Sequence, residues 1–207
     1  MKRAGLFLKG FFDTVGAALL LLLLSPLLLP VALLIRFSSA GPALFKQPRL
    51  GYRGRVFSIY KFRTMVDGAE KLGSGVFTSR GDPRITRVGQ FLRRTSVDEL
   101  PQLLNILRGE MSFVGPRPPV PYHPYVYDAY STEQKLRFSV RPGITGYAQV
   151  TGRNQLTWDE RIRYDVSYVK TWSLGLDLEI LARTFLVVGN RRGVFSDRSG
   201  AARETDS

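Results

Sequence analysis

The longest apolar pattern in the chain covers residues 14–35, 22 positions without a charge, bounded by Asp13 and Arg36. A straight helix of that length spans a bilayer. Ser25-Pro26 at its centre and Pro30 beyond argue for a break, because an interior proline removes a ladder hydrogen bond and kinks the helix. Both flanks are basic, with Lys2, Arg3 and Lys9 before the run and Arg36, Lys46, Arg49, Arg53 and Arg55 after it. The positive-inside rule then places both ends in the cytoplasm. A re-entrant helix that dips into one leaflet and returns meets both constraints. It is preferred over a bitopic span kinked at proline. It is also preferred over a signal peptide cleaved at Ser38-x-Ala40, which Arg36 and the overlong apolar run fit poorly.

Past residue 36 the pattern becomes one of short elements. Residues 44–47 and 56–62 read as strands joined by a turn at Gly51 and Gly54. Residues 67–86 are polar and Gly-rich, hence a loop, and 112–124 is a proline-rich loop. Helices are predicted over 87–94, 98–107, 131–138 and 158–171. Residues 176–188 are apolar over much of their surface and predict a helix that is buried or lies at a membrane interface.

The fold class is therefore α+β, in three parts. Residues 1–36 form an N-terminal re-entrant membrane helix-break-helix. Residues 37–192 form a small, mostly helical cytoplasmic domain with a short sheet and interfacial amphipathic helices. Residues 193–207 form a polar, disordered tail.

Composition narrows the chemistry. At 207 residues there is room for one domain with a real core plus an appendage. No cysteine and one histidine exclude disulfides, thiolate metal sites, Cys nucleophiles and multi-His zinc. A metal would need oxygen ligands, which points to Mg²⁺, with Mn²⁺ as the alternative. The net charge is +13, and between Arg36 and Arg94 there are 13 cations against three acids (Asp67, Glu70, Asp82). So lopsided a block suits a polyanion: nucleic acid, anionic headgroups or a pyrophosphate.

Asp98 and Glu99 lie together in the run Arg93-Arg94-Thr95-Ser96-Val97-Asp98-Glu99-Leu100-Pro101-Gln102. Adjacent carboxylates beside arginines suit phosphate chemistry, one acid attacking phosphorus or holding a metal while cations bind phosphate. The bland alternative is a capping box, Ser96-x-x-Glu99, with Asp98 an ordinary first-turn acid. Pro101 fits better if Asp98 is itself the N-cap.

Several separated motifs together resemble the bacterial sugar transferase family, the monotopic phosphoglycosyl transferases, from about Phe11 to Val188. They are the Ser25-Pro26 break, Tyr60-Lys61-Phe62-Arg63-Thr64-Met65, Asp82-Pro83-Arg84-Ile85-Thr86 and the stretch Thr95 to Gln102. Gly109 to Pro118, Arg141 to Val150 and Gly152-Arg153-Asn154 complete the series. Departures are mild: Val97, Glu110 and Tyr147 stand where Leu, Asp and Trp are common. Lacking the multi-span region of some relatives, the chain resembles a minimal catalytic version.

The resemblance implies that a UDP-sugar gives its sugar-1-phosphate to a polyprenol (undecaprenyl) phosphate, releasing UMP, at the cytoplasmic face of the bacterial inner membrane. Asp98 would be the nucleophile, forming a phosphosugar ester, and Glu99 would serve Mg²⁺ binding, so both acids are metal-ligand candidates. Arg93, Lys61 and Arg63 are candidates for substrate phosphate, and Arg117, Pro118 and Arg153 for the nucleotide. Gly115 to Pro118 could equally be a stiff connector, and Asp165 reads as a helix-surface acid. Partners are the UDP-sugar, the polyprenol phosphate and inner-membrane lipids, with no nucleic acid expected and a homodimer left open. Competing readings are the same transfer through a ternary complex, or a membrane-tethered polyanion-binding protein, which the motif series disfavours.

Overall fold

A computed structural model describes residues 3–72, 81–152 and 155–189. The polar tail and residues 73–80 of the expected loop lie outside the described residues.

The apolar run forms one helix, α1 (Arg3–Ser38), with Pro26 and Pro30 inside it. The break expected at Ser25-Pro26 does not interrupt the element, and the local hydrogen bonding gives the reason. Proline at 26 removes the N–H that would bond the Leu22 carbonyl. The Ser25 hydroxyl donates to that same carbonyl at 2.8 Å, so the acceptor keeps a partner. By length and composition α1 is able to cross a membrane, with mean hydropathy 2.8 over its most apolar 18 residues.

The less exposed positions of α1 are 5, 9, 10, 13, 16, 17, 21, 24, 28, 31, 32 and 35. That is a single stripe of helical period. Asp13 accepts from the Phe113 N–H (3.3 Å) and Lys9 pairs with Asp177 at 2.6 Å. Ala17, Leu21 and Leu24 pack with Ile59, Leu103, Ile106 and Met111, and Ile35 packs with Phe62 and Leu92. Both ends of α1 thus rest on the same domain, while Leu19, Leu22, Leu23, Leu29 and Phe37 on the other face stay exposed.

The strands are as expected in place, with β1 (Leu44–Leu50) three residues longer than its apolar signal. β1 pairs antiparallel with β2 (Val56–Phe62), Gln47 opposite Ile59 and Phe45 opposite Lys61. The helix expected over 98–107 is two pieces: a 3₁₀ turn, Val97–Gln102, and a short α3 (Leu103–Leu107). Before it comes α2 (Arg87–Thr95). The proline-rich loop contains β3 (Ser112–Val114), which pairs in parallel with β4 (Gly143–Thr145). The helix expected over 131–138 is a 3₁₀ segment, Gln134–Phe138. Helices α4 (Tyr147–Thr151), α5 (Trp158–Thr171) and α6 (Leu174–Gly189) complete the order. α5 starts with a full capping box, Thr157 and Glu160 satisfying each other's backbone N–H. On α6, Leu178, Phe185 and Leu186 are exposed.

Candidate active site

The dyad is presented by an abrupt change of direction. Thr86 caps α2 by accepting from the Gly89 N–H at 2.9 Å. The helix ends at Ser96, which adopts a left-handed conformation (φ 57°) while its N–H bonds back to the Arg93 and Leu92 carbonyls. A non-glycine residue there carries roughly 1 kcal/mol or more of strain. The next residues wind into the 3₁₀ turn with Asp98 and Glu99 in its first turn.

The capping-box reading of Ser96 and Glu99 is corrected. Ser96 makes no side-chain cap bond, because its left-handed backbone makes it the end of α2. Glu99 is spent elsewhere: its Oε1 accepts from Lys61 Nζ (2.7 Å) and from Arg117 Nη2 (2.9 Å).

Three elements fix this arrangement. In β2 the side chains of Phe57, Ile59 and Lys61 share one face by strand alternation, and β2 packs on the dyad turn. Asn105 locks the two together. Its amide donates to the Ser58 carbonyl (2.8 Å) and to Glu110 (2.7 Å), and its Oδ1 accepts from the Tyr60 N–H (3.0 Å). It is fully buried, and every hydrogen-bonding atom is used.

Arg117 comes from the loop after β3. Here β3 and β4 approach so closely that a Cβ on Gly143 would lie 2.1 Å from the Gly115 nitrogen, and one on Gly115 would lie 2.4 Å from the Arg141 carbonyl. Only glycine permits that contact. Arg141-Pro142-Gly143 therefore shapes the fold. Behind the loop, Arg137 donates to the Arg117 carbonyl (3.0 Å) and pairs with Asp165 (2.6 Å). Asp165 is thus a buried structural acid on α5 rather than a surface one, with burial pushing its pKa up to about 6 against the opposing Arg137 charge.

The two acids have opposite electrostatics. Burial, reinforced by the Glu99 carboxylate and opposed by Lys61, Arg93 and Arg117, pushes Asp98 up to about 6. Glu99 is also penalised by burial, but the charges and hydrogen bonds of Arg117 and Lys61 outweigh that and hold it far below the usual carboxylate range. One acid is therefore a locked anion, and the other is a basic carboxylate without a hydrogen-bond partner among the described residues. Four cations (Arg49, Lys61, Arg93, Arg117) surround two acids, so the site favours an anionic ligand.

The remaining predicted residues divide. Arg93 stays beside Asp98, its Nε donating to the Thr64 hydroxyl at 2.8 Å. Pro118 lines the cleft, its carbonyl accepting from Arg49 (2.9 Å). Arg63 is not brought to the dyad. It is buried, and its guanidinium is spent on the Ile35, Ser39 and Ala40 carbonyls at the end of α1, where a cation meets the helix dipole. Arg153 lies outside the described residues, as does Asn154. Sequence reasoning missed Arg49, Gln102, Asn105 and Arg137. Arg49 was legible in part, since strand alternation puts it on the same sheet face as Gln47, Ile59 and Lys61 once the register is known.

Among the described residues no group of three or more acids or histidines converges on a metal position. Asp98 and the Oε2 of Glu99 are the oxygens left for one. Two carboxylate oxygens plus substrate phosphates is a set that suits Mg²⁺, which keeps several waters and dehydrates reluctantly. The donors fit a metal that arrives with a diphosphate better than a bare ion, given the surrounding positive charge.

Comparison with known proteins places this geometry in context. A family model described as bacterial sugar transferase matches residues 4–191. The undecaprenyl-phosphate glucose phosphotransferase of Komagataeibacter xylinus is 46% identical over 197 residues, covering 91% of this chain and 36% of that protein. The UDP-glucose:undecaprenyl-phosphate glucose-1-phosphate transferase of Caulobacter vibrioides is 49% identical over 184 residues, 85% of this chain and 67% of that one. An uncharacterized sugar transferase, EpsL, of Bacillus subtilis is 42% identical over 180 residues, 86% of each chain. The chain thus spans between about one third and most of the length of these relatives.

Proposed function

This chain belongs to the bacterial sugar transferase family, and from that membership and the setting of the dyad we propose that it moves sugar-1-phosphate from a UDP-sugar to a polyprenol phosphate. The observation that carries this reading is the split between adjacent acids: Asp98 is partly buried with no hydrogen bond to its carboxylate among the described residues, while Glu99 is clamped by Lys61 and Arg117.

In the proposed reaction an Asp98 oxygen attacks the phosphorus that bears the sugar, and the bond to UMP breaks, its electron pair leaving with the UMP phosphate. A polyprenol phosphate oxygen then attacks the same phosphorus and releases the Asp98 carboxylate. A carboxylate with pKa near 6 is about nine-tenths ionised at pH 7 and more nucleophilic than an ordinary one. Lys61, Arg93 and Arg117 offset the negative charge gathered around phosphorus without reorganising. Mg²⁺, held by Asp98 and Glu99 together with the diphosphate, would supply further charge neutralisation. Arg117, with Pro118 stiffening its loop, binds the nucleotide side.

The lipid substrate dictates the placement. With both ends of α1 against one domain and leucines exposed on its other face, a re-entrant or in-plane seat in the cytoplasmic leaflet is favoured over a crossing. Exposed Leu178, Phe185 and Leu186 on α6 support contact with the same surface. In that seat Asp98 would lie at the depth of a lipid phosphate, which would supply proximity.

Acid-quenched reaction with donor labelled in the sugar phosphate tests the mechanism. Label should remain on the wild-type polypeptide and be absent from Asp98→Asn, and double-reciprocal plots should be parallel. Unlabelled wild-type protein with intersecting lines would leave a direct transfer through a ternary complex.

A further inference from the structure

The cleft beside the dyad contains a cation and an amide that the exchange just described does not use. It is lined by Arg49, Ile59, Lys61, Gln102, Arg117 and Pro118. Lys61 and Arg117 already share the Glu99 carboxylate. Among the described residues Arg49 bonds only neutral partners, the Pro118 carbonyl at 2.9 Å and the Gln47 side-chain oxygen at 2.6 Å. Its Nε is buried without a hydrogen-bond partner, and so is Nε2 of Gln102, a side chain 3% exposed.

Such an arrangement works against folding. Burial, with repulsion from Arg117, lowers the Arg49 pKa to about 10, and a buried donor left unbonded forfeits its hydration. The two orphaned groups are both donors, on residues that line the cleft together with two further cations, Lys61 and Arg117. Three cations and two unbonded N–H donors on one cleft lining match an oxyanion better than a neutral ring or a cation.

We propose that Arg49 and Gln102 form a phosphate subsite next to the Asp98–Glu99 dyad, Arg49 supplying charge and Gln102 an amide N–H to a phosphate oxygen. The inference rests on the proposed transfer and deepens it. Two phosphates could fill the subsite: the diphosphate of the donor nucleotide, or the phosphate of the polyprenol acceptor. Arg49→Gln removes the charge but keeps an amide able to bond Pro118. Gln102→Leu removes the donor at similar volume.

The test uses the full chain in nanodiscs. UDP-dependent thermal stabilisation, KM for UDP-sugar and KM for undecaprenyl phosphate are measured for the wild type and both variants. If the nucleotide fills the subsite, both variants lose UDP affinity and raise the donor KM by at least about tenfold, the scale of a lost charge-assisted hydrogen bond. If the lipid phosphate fills it, UDP stabilisation persists and the acceptor KM rises instead. Both KM values within twofold of wild type, with intact UDP stabilisation and an unliganded Tm unchanged, would overturn the subsite. A fall in kcat alone would overturn it too, assigning Arg49 the structural task of holding Pro118. Should Arg49→Gln not fold, Gln102→Leu decides. Wild-type protein that binds UDP but releases no UMP with any UDP-sugar would count against the transfer, while the UDP-binding comparison would still judge the subsite.

Discussion

Arg137 donates a 3.0 Å hydrogen bond to the main-chain carbonyl of Arg117 while its guanidinium is paired with Asp165 at 2.6 Å. The pair is 2% exposed on both sides, so the loop that delivers Arg117 to Glu99 is anchored on a buried charge. Burying two ions is costly, and the pair contributes most by keeping each charge from being left alone. Arg137→Met should destabilise the protein by about 3–5 kcal/mol, since it strands Asp165. The double variant Arg137→Met, Asp165→Leu should recover much of that loss, yet keep a raised KM for the nucleotide because the Arg117 carbonyl is released. Denaturant unfolding of the two variants, with donor kinetics on the double, checks both parts.

Asp98 is held in a setting that disfavours its charge, and stability should record it. Its folded pKa of about 6 lies above the ordinary 3.8. The native state therefore binds more protons than the unfolded state between those values, and stability falls as pH rises through that window. Asp98→Asn should be more stable than wild type at pH 7 and above. The difference should shrink towards nothing below about pH 4, where the carboxyl is protonated in both states. Thermal melts of both proteins from pH 4 to 8 measure it. In the same window kcat/KM of the wild type should fall as pH drops through about 6, because the proposed nucleophile is protonated.

Asn105 is the side chain that ties the dyad segment to the strand carrying Lys61. Asn105→Leu keeps the volume but leaves the Tyr60 N–H and the Ser58 carbonyl without partners, a cost of about 1–3 kcal/mol each. Lys61 and Glu99 should then lose register, so kcat should fall more than KM changes. Urea unfolding together with steady-state kinetics separates the two effects.

Ser25 and Pro26 act as a couple. Ser25→Ala removes the hydroxyl bond to the Leu22 carbonyl, and in an apolar surrounding an unbonded acceptor costs about 1–3 kcal/mol. Pro26→Ala restores the main-chain donor, so the double variant should be at least as stable as wild type. Melting temperatures of the four proteins in nanodiscs form the cycle; additive losses would show that the hydroxyl does not substitute for the missing N–H.

Much of the site was legible in the residues. Adjacent carboxylates beside arginines marked the dyad, and the resemblance to the sugar transferase motifs added Lys61 and Arg117; those four do meet. Arg63 came in with Lys61 through the same motif, and the fold takes it to the end of α1 instead. β2 ends at Phe62, and the end of α1 offers Arg63 three carbonyls that no linear reading connects to it.

What the amino-acid order determined by itself is local: the apolar run, the period-two hairpin, the helix capped by Thr157 and the chemical type of the dyad. These depend on neighbours a few positions away. The tertiary structure alone decided the left-handed Ser96, the pairing of β3 with β4, the burial of Asp165 and the stripe that lays α1 along the domain. Each depends on contacts between segments far apart in the chain, as when Arg137 meets Asp165 or Lys9 meets Asp177. The electric setting of the two acids is of the same kind, because it is set by which distant cations the fold brings within reach, and at what depth.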